Sequence, residues 1–515
     1  MTEQTTENQQ KSGKGKLSII IIIAIALIGG AITLFLLIGS SDKQTYFEAE
    51  INSYHFLKEE FEERFEEELA WAEMTEENPT EAFINLSAEY NDPNSFGGVS
   101  EVEEIVNNST IAMKSQADME NEKIFADIEA DVAGMTFDDI RFGVEDDTLL
   151  LQLPFLNEVL QLKDEDIGKL LHEIDPMTFE EETQINFTEQ IFNYDEYPIS
   201  KEDREYIADK YGKFTFNELP DDAFKSENES VDIDGESVKA EKVTLDLSEE
   251  ELRTFLTNLI NEIDQDERLK EIMEKYMENN YLSAMEQEDI MLDFDEVMTE
   301  AKEEIKDINL PDGIESTIWV KNGLIVKRYL DITDEDDVGF VIEGTQLLDD
   351  TQQKLDYEFQ MLDDFMDETL QLSADLSRDG EDIKDNITLG IQGFEIFYEG
   401  DETLKGSERE FTRSVSVASP FISGGIFWTG DSTYEKDQMS SNHQLHVEAD
   451  GIGEDMVSVN VGVEGKKIKE IESIDTSNVK DIGSMSEEEL DAYIEEDAAE
   501  QFFAWYMEKF GAAGF

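Results

Sequence analysis

Residues 17–38 constrain this chain more than any other segment, because they carry no charge in an otherwise highly charged sequence. A helix rises about 1.5 Å per residue, so this run covers the roughly 30 Å hydrocarbon core of a bilayer. It is longer than the apolar part of a signal peptide, and no A-x-A-like cleavage site follows it. The run therefore predicts an uncleaved signal-anchor, with cleavage near 39–41 as the alternative.

Charge on the two flanks predicts the orientation of this segment. The preceding tail carries Lys11, Lys14 and Lys16, whereas the far flank has Lys43 beside Asp42. By the positive-inside rule the N-terminus is cytoplasmic and the C-terminal ectodomain lies outside. We therefore expect a single-pass protein of the cell membrane, held there by residues 17–38.

The rest of the chain is extremely acidic. Lys and Arg number 39 against 126 Asp and Glu, giving a formal net charge of -87. Such a surface repels nucleic acid, so no nucleic-acid partner is expected. The acids are spread along the whole chain, which favours halophilic adaptation over one cation-binding surface. The absence of cysteine excludes disulfides, thiolate metal sites and a Cys nucleophile.

Hydrophobic periodicity predicts an α+β fold. Apolar spacings of three and four favour an amphipathic helix at 43–76. Asn322-Gly323 between two β-rich runs predicts a type I′ hairpin, and Ser248 with Glu251 predicts a capping box. Runs of strands alternate with runs of helices, which indicates an ectodomain of antiparallel, curved sheets with helical insertions behind one N-terminal transmembrane helix.

The same patterns predict six segments. They are a disordered cytoplasmic tail at 1–16, a transmembrane helix at 17–38, an amphipathic helix at 43–76, a first α+β region with a helical insertion at 84–335, a second β-rich region at 336–480, and a C-terminal helix at 486–510.

One acidic loop is a weak candidate for Ca²⁺. It offers the carboxylates of Asp331, Asp334, Asp336 and Asp337, although it lacks the glycine and the final glutamate of an EF-hand loop. Among 126 acids such clusters also arise by chance. No other cofactor is expected, and the pair His443 and His446 should point to opposite faces of a strand.

The most apolar loop outside residues 17–38 is "SPFISGGIFWTG". Its large side chains are Phe421, Ile422, Ile426, Phe427 and Trp428. They predict either a core strand with a bulge at the two glycines or an exposed surface for a ligand or partner.

No catalytic motif is present. The sequence lacks G-x-S-x-G, a Walker A loop and a Rossmann fingerprint, and acid pairs are too numerous to be informative. We therefore predict that the protein is not an enzyme.

Two resemblances add to this interpretation. The opening "YFEAEINSYHFLKEEFEERFEEELAWAEMTEENPTEAFINLSAEYNDP" resembles an uncharacterised family of membrane-anchored exported proteins of Bacillus-type bacteria, which implies a location and no activity. The stretch "STIWVKNGLIVKRYLDI" is similar to the hairpin of lipoprotein-carrier-like folds, in which a curved antiparallel sheet wraps helices around an apolar cavity.

Together these features predict a non-enzymatic, extracellular surface protein that binds an envelope ligand or an envelope partner protein, with a lipid-like molecule as one candidate. The alternatives are an envelope-stress sensor or regulator, and a cell-envelope hydrolase.

Overall fold

The computed structural model describes most of the chain after residue 40. The described residues are 41–91, 100–174, 187–192, 199–279, 294, 297–306, 309–311, 313–334, 338–362, 368–449, 451–453 and 456–509. The segments predicted at 1–16 and 17–38 lie outside the described residues.

Twenty strands dominate the fold and join into one sheet. Their bounds are β1 Thr80–Tyr90, β2 Thr110–Asp118, β3 Lys123–Val132, β4 Met135–Glu145, β5 Thr148–Gln152, β6 Val159–Lys163, β7 Phe224–Ile233, β8 Glu236–Leu247, β9 Ile314–Lys321, β10 Leu324–Thr333, β11 Gly339–Asp349, β12 Gln352–Leu362, β13 Glu368–Asp379, β14 Asp382–Ile391, β15 Phe394–Lys405, β16 Glu408–Ala418, β17 Ser423–Glu435, β18 Gln438–Ala449, β19 Val457–Lys467 and β20 Val479–Asp481.

Helices occupy the breaks between groups of strands. Their bounds are α1 Asp42–Arg64, α2 Glu66–Glu77, α3 Glu101–Asn107, α4 Asp164–Ile174, α5 Phe187–Phe192, α6 Lys201–Glu218, α7 Glu249–Asp264, α8 Glu267–Asn279, α9 Glu487–Ala492 and α10 Ala499–Lys509. A π-helical turn, Tyr493–Ala498, joins the last two.

The strands follow one continuous antiparallel path. Strands β7 to β19 pair in chain order, and β19 then pairs with β1. From β1 the ladder continues through β2 to β6, and the short β20 adds to β6 in parallel. Because antiparallel neighbours run in opposite directions, successive connections from β9 to β19 lie alternately on the two edges of the sheet.

The predicted α+β class is wrong. The sequence predicts several antiparallel, curved sheets with helical insertions behind one membrane helix, but the strands on either side of the insertions belong to one 20-stranded sheet. The pairing of β1 with β19 makes this possible, since it joins the start of the chain to strands almost four hundred residues later. The predicted segment boundaries stay predictions.

The predicted single-pass anchoring is also corrected. In the described part of the chain, no helix is both long and apolar enough to cross a membrane. The predictions of a signal-anchor, a transmembrane helix and a single-pass location in the cell membrane are corrected accordingly.

Several local predictions are confirmed. Asn322 and Gly323 turn the β9–β10 hairpin with φ of 55° and 81°, as a type I′ turn requires. The Ser248 side chain accepts from the Glu251 N–H, and the Glu251 carboxylate accepts from the Ser248 N–H, which completes the capping box of α7.

The main hydrophobic core lies where α1 and α7 cover strands β7 to β11. Tyr46 and Phe47 of α1 are fully buried there against Phe224. The Tyr46 hydroxyl and the Ser316 hydroxyl of β9 lie 2.6 Å apart in a hydrogen bond. We call the side of the sheet that faces α1 the inner face.

Candidate functional site

The inner face carries two parallel bands of different chemistry. We call the edge with the turns at 322–323, 380–381, 406–407 and 436–437 the lower edge, and the edge with the turns at 392–393 and 419–422 the upper edge. Nearer the lower edge the inward side chains include a row of charged and polar groups among apolar ones, and nearer the upper edge they are mostly apolar.

The polar band holds the helix pair α1–α2 onto the sheet. Arg64 donates to the Asp385 carboxylate of β14 at 2.7 Å and to the Gln353 side chain of β12 at 3.0 Å. Arg378 of β13 pairs with Glu63 at 2.7 Å. These contacts bind the end of α1 to three consecutive strands.

A second group of ion pairs fixes α2. The buried Arg409 of β16 pairs with Glu402 of β15, donates to the Arg64 carbonyl, and lies 2.8 Å from the Glu68 carboxylate. Arg413 pairs with the other oxygen of Glu402 at 2.6 Å. Since one partner of most of these pairs is buried, the polar band is structural, and its charges are already matched within the chain.

The apolar band lies beside it on the same inner face. Alternate residues of each strand point to the inner face. Because the strand register is continuous, the apolar side chains among them stand opposite one another from strand to strand. The members from β12 to β19 are Tyr357, Phe359, Leu370, Leu372, Ile387, Leu389, Ile391, Phe394, Ile396, Val415, Val417, Ile426, Leu445, Val447, Val459 and Val461.

The apolar band continues past β19. On β1 it includes Ile84 and Leu86, which stand opposite Val463 and Val461 of β19 and opposite Met113 and Ile111 of β2. The band therefore begins beside the core under α1 and runs across ten of the twenty strands of the sheet.

Much of this band is open to solvent. Val415, Ile426 and Val447 stand side by side on three strands and are 45%, 49% and 36% exposed, and Ile391 is 42% exposed. Most other members are half-buried. Scattered exposed apolar side chains are ordinary, but a contiguous band on one face indicates a binding surface.

A cluster of rings marks the boundary between the two bands. The Arg413 guanidinium lies 4.3 Å from the centre of the Phe411 ring and 5.1 Å from that of Trp428. Trp428 Nε1 donates to His443 Nδ1 at 3.2 Å. Burial, and then the positive charge of Arg413, lower the pKa of His443, so this imidazole is neutral at pH 7 and can accept that bond.

The predicted apolar loop is divided among three environments. Phe421 and Ile422 form the turn between β16 and β17 and are 90% and 65% exposed. Ile426 and Trp428 belong to the inner face, whereas Phe427 lies on the outer face opposite Ser414 and His446. The register runs without a shift through the two glycines, so the expected bulge is absent there.

The predicted calcium loop is only partly described, since Asp336 and Asp337 lie outside the described residues. The Asp331 carboxylate accepts from the Tyr329 hydroxyl at 3.0 Å and from the Thr333 hydroxyl at 2.6 Å. Asp334 accepts from the Val338 N–H at 3.0 Å. In the part of the chain that the structure describes, no group of three or more His, Asp or Glu could hold a metal ion. Calcium binding at this loop stays a prediction.

The two histidines of H-x-x-H lie on β18 and point to opposite faces, as expected. His443 stands opposite Gly430 on the inner face and His446 stands opposite Phe427 on the outer face. They cannot bind one metal ion together.

Sequence reasoning missed the apolar band as a whole. The alternation in "NITLGIQGFEIFYEG" identified strands with two unlike faces, and the band is one of those faces. The alternation does not predict the register between strands, and this register is what aligns the apolar faces of neighbouring strands.

Comparisons with known proteins give no family for this chain. No family model matches, and no curated protein matches. Among solved structures, it is similar to a mutant porin of Rh. blastica, with 7% identity over 76% of this chain and 99% of that one, at a TM-score of 0.21. It is also similar to the outer membrane channel DcaP of Acinetobacter baumannii, with 5% identity over 76% and 96%, at a TM-score of 0.24.

A third structure, Salmonella typhi OmpF in complex with daunomycin, matches with 6% identity over 76% of this chain and 99% of that one, at a TM-score of 0.23. These TM-scores are too low for the three likenesses to carry an argument about fold or function.

Proposed function

We propose that this protein is a non-catalytic binding protein whose ligand is an amphiphile with one or more acyl chains. The observation that carries the proposal is the apolar band, which is contiguous, solvent-exposed in part and bordered along one side by a polar band. A molecule with an apolar chain and a polar head matches this division, because the chain would lie on the band while the head meets polar groups or water.

Energetics support an elongated apolar ligand. Burial of each methylene group contributes about 0.8 kcal/mol, so a chain laid along several strands gains enough to offset the entropy lost on binding. The band's side chains are mainly branched aliphatic groups, which offer contact area and no hydrogen-bonding group that would demand a specific polar partner.

The charge distribution supports a ligand whose acyl-chain end carries no strong negative charge. The nearest basic groups, Arg409 and Arg413, are already paired with Glu402. A carboxylate or phosphate head would have to compete for them, or to extend beyond the upper edge into solvent.

The test is titration of the full chain with a fluorescent fatty acid that emits only in an apolar site. Wild-type protein should bind it, and Ile426→Asp should weaken binding by about tenfold or more because it places a charge in the band. Thr429→Asp is the matched control, since Thr429 lies on the same strand and points to the outer face. The proposal fails if wild-type protein does not bind the probe, or if both variants weaken binding equally.

A further inference from the structure

The turn between β16 and β17 presents apolar side chains to solvent at the upper edge. Phe421 is 90% exposed and Ile422 is 65% exposed, the two highest values among the large apolar side chains that the structure describes. Apolar groups this exposed at the tip of a hairpin indicate contact with another apolar phase or molecule.

This tip is held rigidly. The Ser419 hydroxyl accepts from the Phe421 N–H at 3.3 Å and from the Ile422 N–H at 2.9 Å. The Ser419 N–H donates to the Ile422 carbonyl at 2.9 Å, which closes the turn. Pro420 further restricts the backbone between them. Little conformational entropy is therefore lost when the tip is covered.

The part of the hairpin nearest the tip is free of charge. Residues 414–430 contain no Asp, Glu, Lys or Arg, although 32% of the chain is charged. A protein partner that recognised this acidic molecule through charge would need charged groups at the contact. Hydrocarbon, in contrast, penalises every charged side chain, and the composition of residues 414–430 fits entry into a lipid surface.

The apolar band reaches this tip. Val415 and Val417 of β16 and Ile426 of β17 belong to the band and lead directly to the turn. An amphiphile that leaves a bilayer where the tip enters would therefore meet the band without crossing water.

We propose that the tip formed by Phe421 and Ile422 enters the headgroup region of a lipid bilayer without net surface charge, and so places the apolar band next to its source of ligand. The net charge of -87 favours a zwitterionic surface, since an anionic one would repel the molecule. This inference deepens the proposed function and rests on it for the identity of the ligand, but contact with the bilayer can be measured separately.

The test uses the absence of cysteine, because a single introduced cysteine is then the only site that a thiol-reactive dye can label. The full chain with Ser423→Cys, labelled beside the tip, is mixed with phosphatidylcholine vesicles. Dye exposure is read with brominated lipid as a quencher in the membrane and iodide as a quencher in water. Lys436→Cys, at a lower-edge turn, is the matched control.

The expected result is that vesicles shield the dye at position 423 from iodide several-fold and make it sensitive to brominated lipid, while the dye at 436 stays open to iodide. Adding Phe421→Asp and Ile422→Asp to the labelled chain should return the dye at 423 to water. Lys436→Asp changes the net charge by the same amount and should not.

Three outcomes would overturn the inference. The dye at 423 could be as open to iodide as the dye at 436, the double change at the tip could leave it shielded, or it could be shielded from both quenchers, which would mean that protein covers the tip. Binding of the soluble fatty acid without vesicles is measured in parallel. If wild-type protein does not bind the fatty acid, the ligand proposal alone is rejected. If it binds the fatty acid but the dye at 423 stays open to iodide in the presence of vesicles, the bilayer contact alone is rejected.

Discussion

A buried ion pair joins the first helix to the sheet at the level of single residues. Arg328 of β10 and Glu50 of α1 are both 7% exposed and are hydrogen-bonded to each other. Burial alone would lower the pKa of Arg328, but the Glu50 carboxylate more than offsets this and raises it. Burial, and then the same carboxylate, raise the pKa of the neighbouring Tyr46 to about 12, so its phenol stays neutral.

Glu50→Gln should be strongly destabilising, because it leaves the Arg328 cation buried without a counter-charge. We expect the free energy of unfolding to fall by about 3–5 kcal/mol, measured by urea denaturation at pH 7. Lys58→Ala, which breaks an exposed pair with Glu62, should cost no more than about 1 kcal/mol. Equal losses in the two variants would show that the buried pair is not important for docking of α1.

At the scale of elements, tight junctions determine how helices and strands connect. Gly313 links the helical insertion to β9 with φ of 72°, and an added Cβ would lie 1.9 Å from the Leu247 carbonyl oxygen. Gly134, in the β3–β4 turn, has a similar φ of 83° but nothing within 4 Å of the same added atom. Comparing substitutions at the two glycines therefore distinguishes the cost of backbone strain from the cost of steric overlap.

Alanine at these two positions should have very different effects. Gly134→Ala meets only the strain of a left-handed backbone, about 1–2 kcal/mol. Gly313→Ala adds a backbone clash that forces β8 and β9 apart, and it should cost at least about 3 kcal/mol. Thermal and urea unfolding of both variants test this, and similar losses would contradict the close approach of the chain at Leu247.

The sequence predicted local elements well because their signals are local. Asn322-Gly323 and the Ser248 capping box each depend on residues within a few positions of one another. The sheet could not be predicted in the same way, because Ile84 of β1 meets Val463 of β19 only through a pairing between distant parts of the chain. Without that pairing, the alternation within each strand does not reveal that the apolar faces join into one band.

Taken as a whole molecule, the chain combines an acidic surface with one apolar band on the inner face of its sheet. A net charge of -87 opposes self-association of such a molecule through charge repulsion. It also makes the uncharged stretch at 414–430 distinctive, since this stretch contributes both the exposed tip and part of the apolar band. The central claim is that the inner face is where an acyl chain binds.

The most direct test is quenching of tryptophan fluorescence in the full chain by a brominated fatty acid. Trp428 lies on the inner face beside the band, whereas Trp319 packs on the outer face, where its Nε1 donates to Glu229 at 2.8 Å. Trp71 lies close to Gly465 on the same inner face, so the test uses a chain that already carries Trp71→Phe and Trp505→Phe. In that chain we predict that Trp428→Phe removes most of the saturable quenching and that Trp319→Phe leaves it almost unchanged. Quenching that survives in Trp428→Phe, or that is lost equally in both variants, would contradict binding on the inner face.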